Sequence, residues 1–241
     1  RNLKFGLVAP QFMKAREALQ EMVLFPSSTE KKPVTFSEYV DRMSEEQKTI
    51  YFASGETVDK IDMLPQTDAV KAKGFEVLYC TDDVDEFALQ MMREYEGKTF
   101  TNICAGNLDL DTDEEKEALK KENEDSKELL TFLKESLGDA VNEVRFTNKL
   151  KNHPVCLTSE GMLSLEMEKV LNSMPGDQKV KAQRVLEINP DHEIFGKLTA
   201  VSSDSEKLEK YAKLLYTQAL LIEGMPVENP VEFSNLICEL M

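Results

Sequence analysis

The chain has no tryptophan, two histidines, four cysteines and ten glycines in 241 residues. Each scarcity closes off a kind of chemistry. Cys80, Cys104, Cys156 and Cys238 lie far apart with no C-x-x-C pair, and His153 and His192 do not group with them. Neither a metal site nor a disulfide framework is predicted. Cys80 and Cys156 sit in apolar runs and read as small core residues, and reduced thiols fit a cytoplasmic location. The glycines fall singly at turns and helix ends. There is no G-x-S-x-G elbow, no glycine-rich phosphate loop and no H-E-x-x-H pair. No run approaches the roughly eighteen apolar residues of a membrane span, and no signal peptide opens the chain. Basic residues are also short, 29 against 45 acids, for a formal charge of −16. A field of that sign repels phosphate backbones and anionic lipid, so neither nucleic acid nor a membrane is expected as a partner.

What the chain does have is apolar periodicity set among charges. Hydrophobic residues make up 41% and charged residues 31%, a globular mix long enough for one large or two ordinary domains. The acid excess is uneven, about −11 over residues 1–137 and about −5 over 138–241. Phe12, Ala15, Leu19, Met22 and Val23 recur at helical spacing over 11–24. The segment from Pro26 to Pro33 breaks into an exposed loop, and Thr35 or Ser37 can cap a helix burying Phe36, Tyr39, Val40 and Met43. Strands are predicted over 49–53, 75–80 and 99–104, with helices over 57–64, from Pro65 to Lys73 and over 84–95 between them. Helices of that length imply crossovers and a small three-layer sheet. Residues 109–125 are dense in acid and read as a loop feeding a solvated helix, docked later through Leu129, Leu130, Leu133 and Leu137. Beyond Gly138 come strands over 141–146 and 154–158, a helix over 162–174, a strand over 183–188, and helices over 192–198, 205–223 and 230–240. The fold class predicted is α+β. A helical segment over 1–45 precedes a small three-layer α/β/α unit over 46–125, and an α+β domain over 126–241 ends in a helical pair. The boundary is expected within 108–138. The chain opens on Arg1 with Asn2–Val8 already reading as structured, as in a chain whose N-terminal part is missing.

No catalytic residue and no metal ligand is predicted. The carboxylates of 109–125 lack the apolar setting that raises a pKa, so they read as a solvated face, with an enzyme working through Asp109–Glu115 as a rival. His192 follows Asn189-Pro190-Asp191 and reads as a helix-start residue. Two apolar surfaces stand out instead. In the 162–174 helix, Leu163, Met167, Val170, Leu171 and Met174 form one stripe. Such a stripe either packs into its own domain or stands out from it. Its methionines suit adaptable contacts, and Ser159–Gly161 and Pro175–Asp177 are turn-forming flanks. In the terminal pair, Leu208, Tyr211, Ala212, Leu215, Ala219 and Ile222 form one face, widened by Leu214, Leu220 and Leu221, while Phe233, Leu236, Ile237 and Leu240 line the last helix. A helix apolar nearly all round needs two partners. The last helix covers one side only, so a second copy closing a twofold four-helix bundle is expected, with internal burial as the alternative.

Two stretches carry a family likeness. Residues 42–57, RMSEEQKTIYFASGET, run from a charged helix end through Ile50–Ala53 to Ser54-Gly55 and a new helix, and Leu186-Glu187-Ile188-Asn189-Pro190-Asp191-His192 follows later. In wording and order they resemble the middle and C-terminal domains of the heat-shock protein 90 chaperones, of bacterial type. The likeness runs from Asn2-Leu3-Lys4-Phe5-Gly6 to Met241. It implies the later middle domain and the C-terminal dimerisation domain of a cytoplasmic, ATP-dependent chaperone that binds partly folded client proteins as a homodimer. It implies that clients touch Leu163, Met167, Val170, Leu171 and Met174. A companion helix adds Glu86, Phe87 and Gln90, with Phe87 standing where some bacterial members have Trp. It also implies that the ATP and Mg site lies upstream of Arg1, so that this fragment is itself no enzyme and holds no cofactor. The alternative is an acidic dimeric adaptor that docks one defined partner on the 162–174 helix.

Overall fold

Ile50-Tyr51-Phe52-Ala53 is apolar without alternation, the pattern of a strand covered on both faces. In the computed structural model, which describes residues 2–9, 14–106, 108, 110–175 and 179–241, it forms the centre of a strand with all four side chains buried. The chain divides into two units, Arg1–Leu108 with Val170–Lys179, and Asp109–Lys169 with Val180–Met241. Both mix helix and strand, and the fold is α+β.

In the first unit, helices α1 (Asn2–Val8) and α2 (Arg16–Gln20) lead to a two-strand ladder, β1 (Phe25–Pro26) with β2 (Pro33–Val34), and to helix α3 (Phe36–Arg42). Then come β3 (Thr49–Ser54), helices α4 (Val58–Asp62) and α5 (Gln66–Ala72), β4 (Val77–Cys80), α6 (Asp85–Met92), and the hairpin β5 (Glu94–Tyr95) and β6 (Lys98–Asn102). The sheet order is β4-β3-β6-β5, with β4 and β6 both parallel to β3. The chain therefore winds to one side of β3 and then crosses to the other. Right-handed crossovers in opposite directions put their helices on opposite faces. Alternation in the strands agrees. Ile50, Phe52, Leu78 and Cys80 join one cluster with Phe25, Phe36, Ala88 and Leu89, whereas Tyr79 turns to α4 and donates its hydroxyl hydrogen to Asp62.

Four expectations change here. The Pro26–Pro33 loop is the β1/β2 ladder, pinned because Phe25 and Val34 are fully buried and the Ser28 hydroxyl accepts from the Val77 amide at 2.8 Å. The helix expected over 11–24 is α2 alone, with Phe12 outside the described residues and Met22 exposed. Residues 1–45 are no separate segment, since Leu7, Val23, Phe25 and Phe36 share a core with Ile50 and Phe52. Thr35 caps α3 through a reciprocal box with Glu38, at 3.2 and 2.8 Å. Tyr39 then ties that helix to the sheet. Its hydroxyl donates to the Glu76 carbonyl at 2.7 Å and accepts from Gln47 Nε2 and the Tyr51 amide, and burial holds its phenol protonated well above the usual range. Strand β5 takes the end of the helix expected over 84–95 and pairs with β6, the strand expected over 99–104, in a hairpin. It turns through Glu96 and Gly97 with φ of 48° and 73°, both in the left-handed region that a two-residue hairpin loop requires.

In the second unit, α7 (Asp113–Asp125) buries no side chain, as an acid-dense helix should, and is opened by a Thr112–Glu115 capping box. The division after Leu108 puts α7 in this unit rather than in the one before it. Helix α8 (Lys127–Leu137), a 3-10 turn at Gly138–Ala140, β7 (Glu143–Phe146), β8 (Val155–Glu160), the first turns of α9 (Leu165–Ser173, grouped with the first unit from Val170 on), β9 (Gln183–Ile188), α10 (Glu193–Ala200), α11 (Ser205–Ile222) and α12 (Pro230–Leu240) complete it. The sheet order is β7-β9-β8, with β9 parallel to β7 and antiparallel to β8. Val144, Phe146, Val155, Leu157, Leu186 and Ile188 face one core with α8, α10 and α11. Among the described residues no helix is long and apolar enough to cross a membrane.

Gly55, at the end of β3, is fixed by space. A Cβ there would lie 2.9 Å from Cγ1 of Ile61, itself fully buried. Gly55→Ala is expected to lower stability by about 1–3 kcal/mol through overpacking, read as a lower urea midpoint for the first unit.

Candidate functional site

Three surfaces were expected to carry function, and the structure builds each differently. On α6, the helix start is a buried charge cluster. Lys4 Nζ donates to Asp82 at 3.1 Å and to Asp85 at 2.9 Å, and stands 4.2 Å over the Phe25 ring. Burial holds the Asp85 carboxyl above the usual carboxylate range, Lys4 opposing it. Glu86 is buried as well and accepts from Asn102 Nδ2 at 2.9 Å, so its carboxylate faces β6. Phe87 and Gln90 are half-buried, Gln90 one turn on from Glu86 along the helix. The three residues expected to act together thus differ in exposure, with Glu86 turned inward by its bond to Asn102.

On α9, Met162 and Met174 are exposed, Leu163 and Leu171 are half-buried, and Met167 and Val170 are buried. Gly176 and Asp177, expected as mobile flanks, lie outside the described residues. The helix is opened by Ser164, whose hydroxyl accepts from the Met167 amide at 3.0 Å. Its polar side carries residues that sequence reading passed over. Glu168, 5% exposed, accepts from the Ala182 amide at 2.8 Å and from Arg184 Nη2 at 2.5 Å. Arg184 Nη1 donates to the Tyr216 hydroxyl at 2.8 Å, and Lys169 Nζ to the Glu223 carbonyl at 2.9 Å.

On the terminal pair, Leu208, Ala212, Leu215 and Ala219 lie in the core of their own unit, and Leu236 is buried too. The expected interface face of α11 is therefore largely spoken for. The reason is α8 and β8, which pack on α11 besides α12 and supply the cover that sequence reading assigned to a second copy. Tyr211, Ile222, Phe233 and Leu240 are half-buried. What stays open is a different set: Leu221 at 50%, Val231 at 70% and Ile237 at 36% exposed. Leu214, two turns before Leu221 on the same face, is half-buried. Lys210 bridges the two helices, to Glu206 at 2.8 Å and Glu239 at 3.1 Å. A cleft of about 400 Å³ beside it is lined by Glu206, Glu209, Glu232 and Glu239 with Lys210 and Lys213.

The second sequence motif is a clasp. Asn189, buried, donates through Nδ2 to the carbonyls of Lys151 and His153 and accepts from the Asp191 amide at 3.0 Å. His192 then caps α10, Nδ1 accepting from the Ile194 amide at 3.1 Å. Beside it, on the sheet face away from the core, Glu187 accepts from Arg145 at 2.8 Å and Lys149 at 2.9 Å, with Cys156 Sγ at 3.7 Å.

The sheet order, the Asn-Pro-Asp-His clasp and the terminal helix pair occur together in one chain, and comparison with known proteins names the class. The Hsp90 protein family model matches residues 1–241, and the chain belongs to that family. It is 51% identical to the chaperone protein HtpG of Clostridium acetobutylicum, 50% to that of Bacillus subtilis strain 168 and 49% to that of Clostridium perfringens, each over 242 aligned residues and the whole of this chain. It spans 38% of the length of these relatives.

These matches correct two expectations. The resemblance read alone leaves this chain no enzymatic role and no ATP or Mg. A match to the Hsp90 family along all 241 residues removes the ground for that exclusion, because the chain cannot be set apart from the nucleotide chemistry of its family. Among the described residues no three His, Cys, Asp or Glu groups could hold a metal ion, and the four glutamates of the α11–α12 cleft carry the wrong sign for phosphates. No chemical step is assigned to any of them.

Leu215, 2% exposed, tests which face of α11 is core. Leu215→Ala is expected to lower the unfolding free energy of the second unit by about 2–5 kcal/mol, read by urea denaturation at one low protein concentration. A loss under about 1 kcal/mol would place that side chain outside the core.

Proposed function

We propose that the chain is the client-holding and dimerising portion of an HtpG-type chaperone, spanning its later middle domain and its C-terminal domain and working in the cytoplasm. One observation carries the reading: the last two helices end the chain with Leu221, Val231 and Ile237 in solvent. A protein of charge −16 gains nothing from apolar side chains left there unless something covers them. A second copy meeting the same residues across a twofold axis buries six such side chains, at about 1.5–3 kcal/mol each before association costs. Partly folded clients bind through the methionine-bearing stripe of α9, where Met162 and Met174 already stand in solvent at either end. Thioether side chains adapt to unlike apolar surfaces, which suits a partner of no fixed sequence.

Sedimentation velocity at several concentrations tests the pairing. The chain is expected to run as a dimer, and Leu221→Glu with Ile237→Glu as a folded monomer. A wild-type chain that stays monomeric at every concentration contradicts it. For clients, Met162→Ser with Met174→Ser is expected to weaken, several-fold, the suppression of aggregation of two unrelated denatured proteins. Loss towards one protein alone would instead mark a dedicated adaptor.

A further inference from the structure

Helix α9 carries two kinds of surface on opposite sides. At about 100° per residue, Met167, Val170, Leu171 and Met174 share one arc, while Leu165, Glu168 and Lys169 centre on the far side. Among the described residues Leu165 is the one side chain of this helix in the apolar core of the second unit, and Met167 and Val170, though buried, belong to neither core cluster. The far side is held by polar contacts instead. Both carboxylate oxygens of Glu168 are engaged, one by the Ala182 amide and one by Arg184, whose side chain is 13% exposed. Arg184 reaches on to the Tyr216 hydroxyl in α11, and Lys169 to the last carbonyl turn of the same helix.

We infer that Glu168 is a positioning residue: locked to Arg184, it fixes the rotation of the first turns of α9 against strand β9, which apolar contact alone would leave free. An apolar contact tolerates sliding and rotation, whereas a charge pair with a planar guanidinium is satisfied in few geometries. A buried pair of this kind contributes little net stability compared with apolar packing of the same volume, and it does fix orientation. For its purpose the inference rests on the client reading of α9; its geometry does not.

Amide hydrogen exchange on the 241-residue chain separates the two. Glu168→Gln keeps an acceptor for Ala182 and removes the charge facing Arg184. Exchange across Leu165–Ser173 is expected to rise about tenfold or more, with β8 and β9 unchanged. Arg184→Lys keeps a cation opposite Glu168 and is expected to fall between wild type and Glu168→Gln. Unchanged exchange in α9 overturns the inference, as does an equal rise in β8 and β9, which would mean general loosening. Should Glu168→Gln fail to fold, Arg184→Lys against wild type carries the same test. Faster α9 exchange with undiminished client holding leaves the positioning role standing and removes the client reading of the helix.

Discussion

Leu215 and Ala219 of α11 sit against α8 and β8, and that packing decides what the rest of the second unit can offer. Once α8 and the sheet cover one side of α11, with Leu236 of α12 buried beside it, part of the apolar surface of both helices is left outside. Leu221, Val231 and Ile237 are exposed as a consequence of a filled core rather than of a missing one. The same core admits Leu165 from α9 and leaves Met167 and Val170 outside it. Both surfaces proposed to meet other proteins are thus what one apolar cluster leaves over.

Buried polar groups do a second job, setting direction where apolar packing sets only proximity. Tyr39 fastens α3 to the sheet through three hydrogen bonds, Asn189 fastens two loops, and Glu187 gathers Arg145 and Lys149 on the sheet's polar face. Each can be satisfied in one arrangement, and leaving any of them unsatisfied when buried costs more than the bond contributes. Glu168 with Arg184 belongs to this group. The likeness to HtpG in the Asn-Pro-Asp-His stretch is therefore a matter of architecture: Asn189 and His192 shape a turn and a helix start.

Much of the architecture was legible because it is written in local periodicity. The continuous run Ile50–Ala53 marks a strand covered on both sides, Thr35 with Glu38 marks a helix start, and Pro230 opens α12 where a missing amide costs nothing. Short elements held by distant partners were not legible. The two-residue strands β1 and β2 have no pattern of their own and exist because Phe25 and Val34 are buried and Ser28 meets Val77. Strand β5 was lost to Tyr95, which continues a helical pattern until Glu96 and Gly97 reverse the chain into β6, itself legible as a strand. Which face of α11 is core could not be read from α11 alone, since its sequence is apolar almost all round and the choice belongs to α8, far away in the chain. Glu168 hides for the same reason: on the helix it is an ordinary acid, and only Arg184, in a different strand, makes it a fixture.

The account stands or falls on whether the open side of α11 and α12 meets a second copy. Cys238 lies exposed on α12 beside Ile237, whereas Cys80, Cys104 and Cys156 are buried, so a thiol-directed spin label takes this one position. Dipolar spectroscopy on the labelled chain should then show a single, well-defined distance between labels on two copies. An absence of dipolar coupling between molecules, with the chain folded and fully labelled, would contradict it.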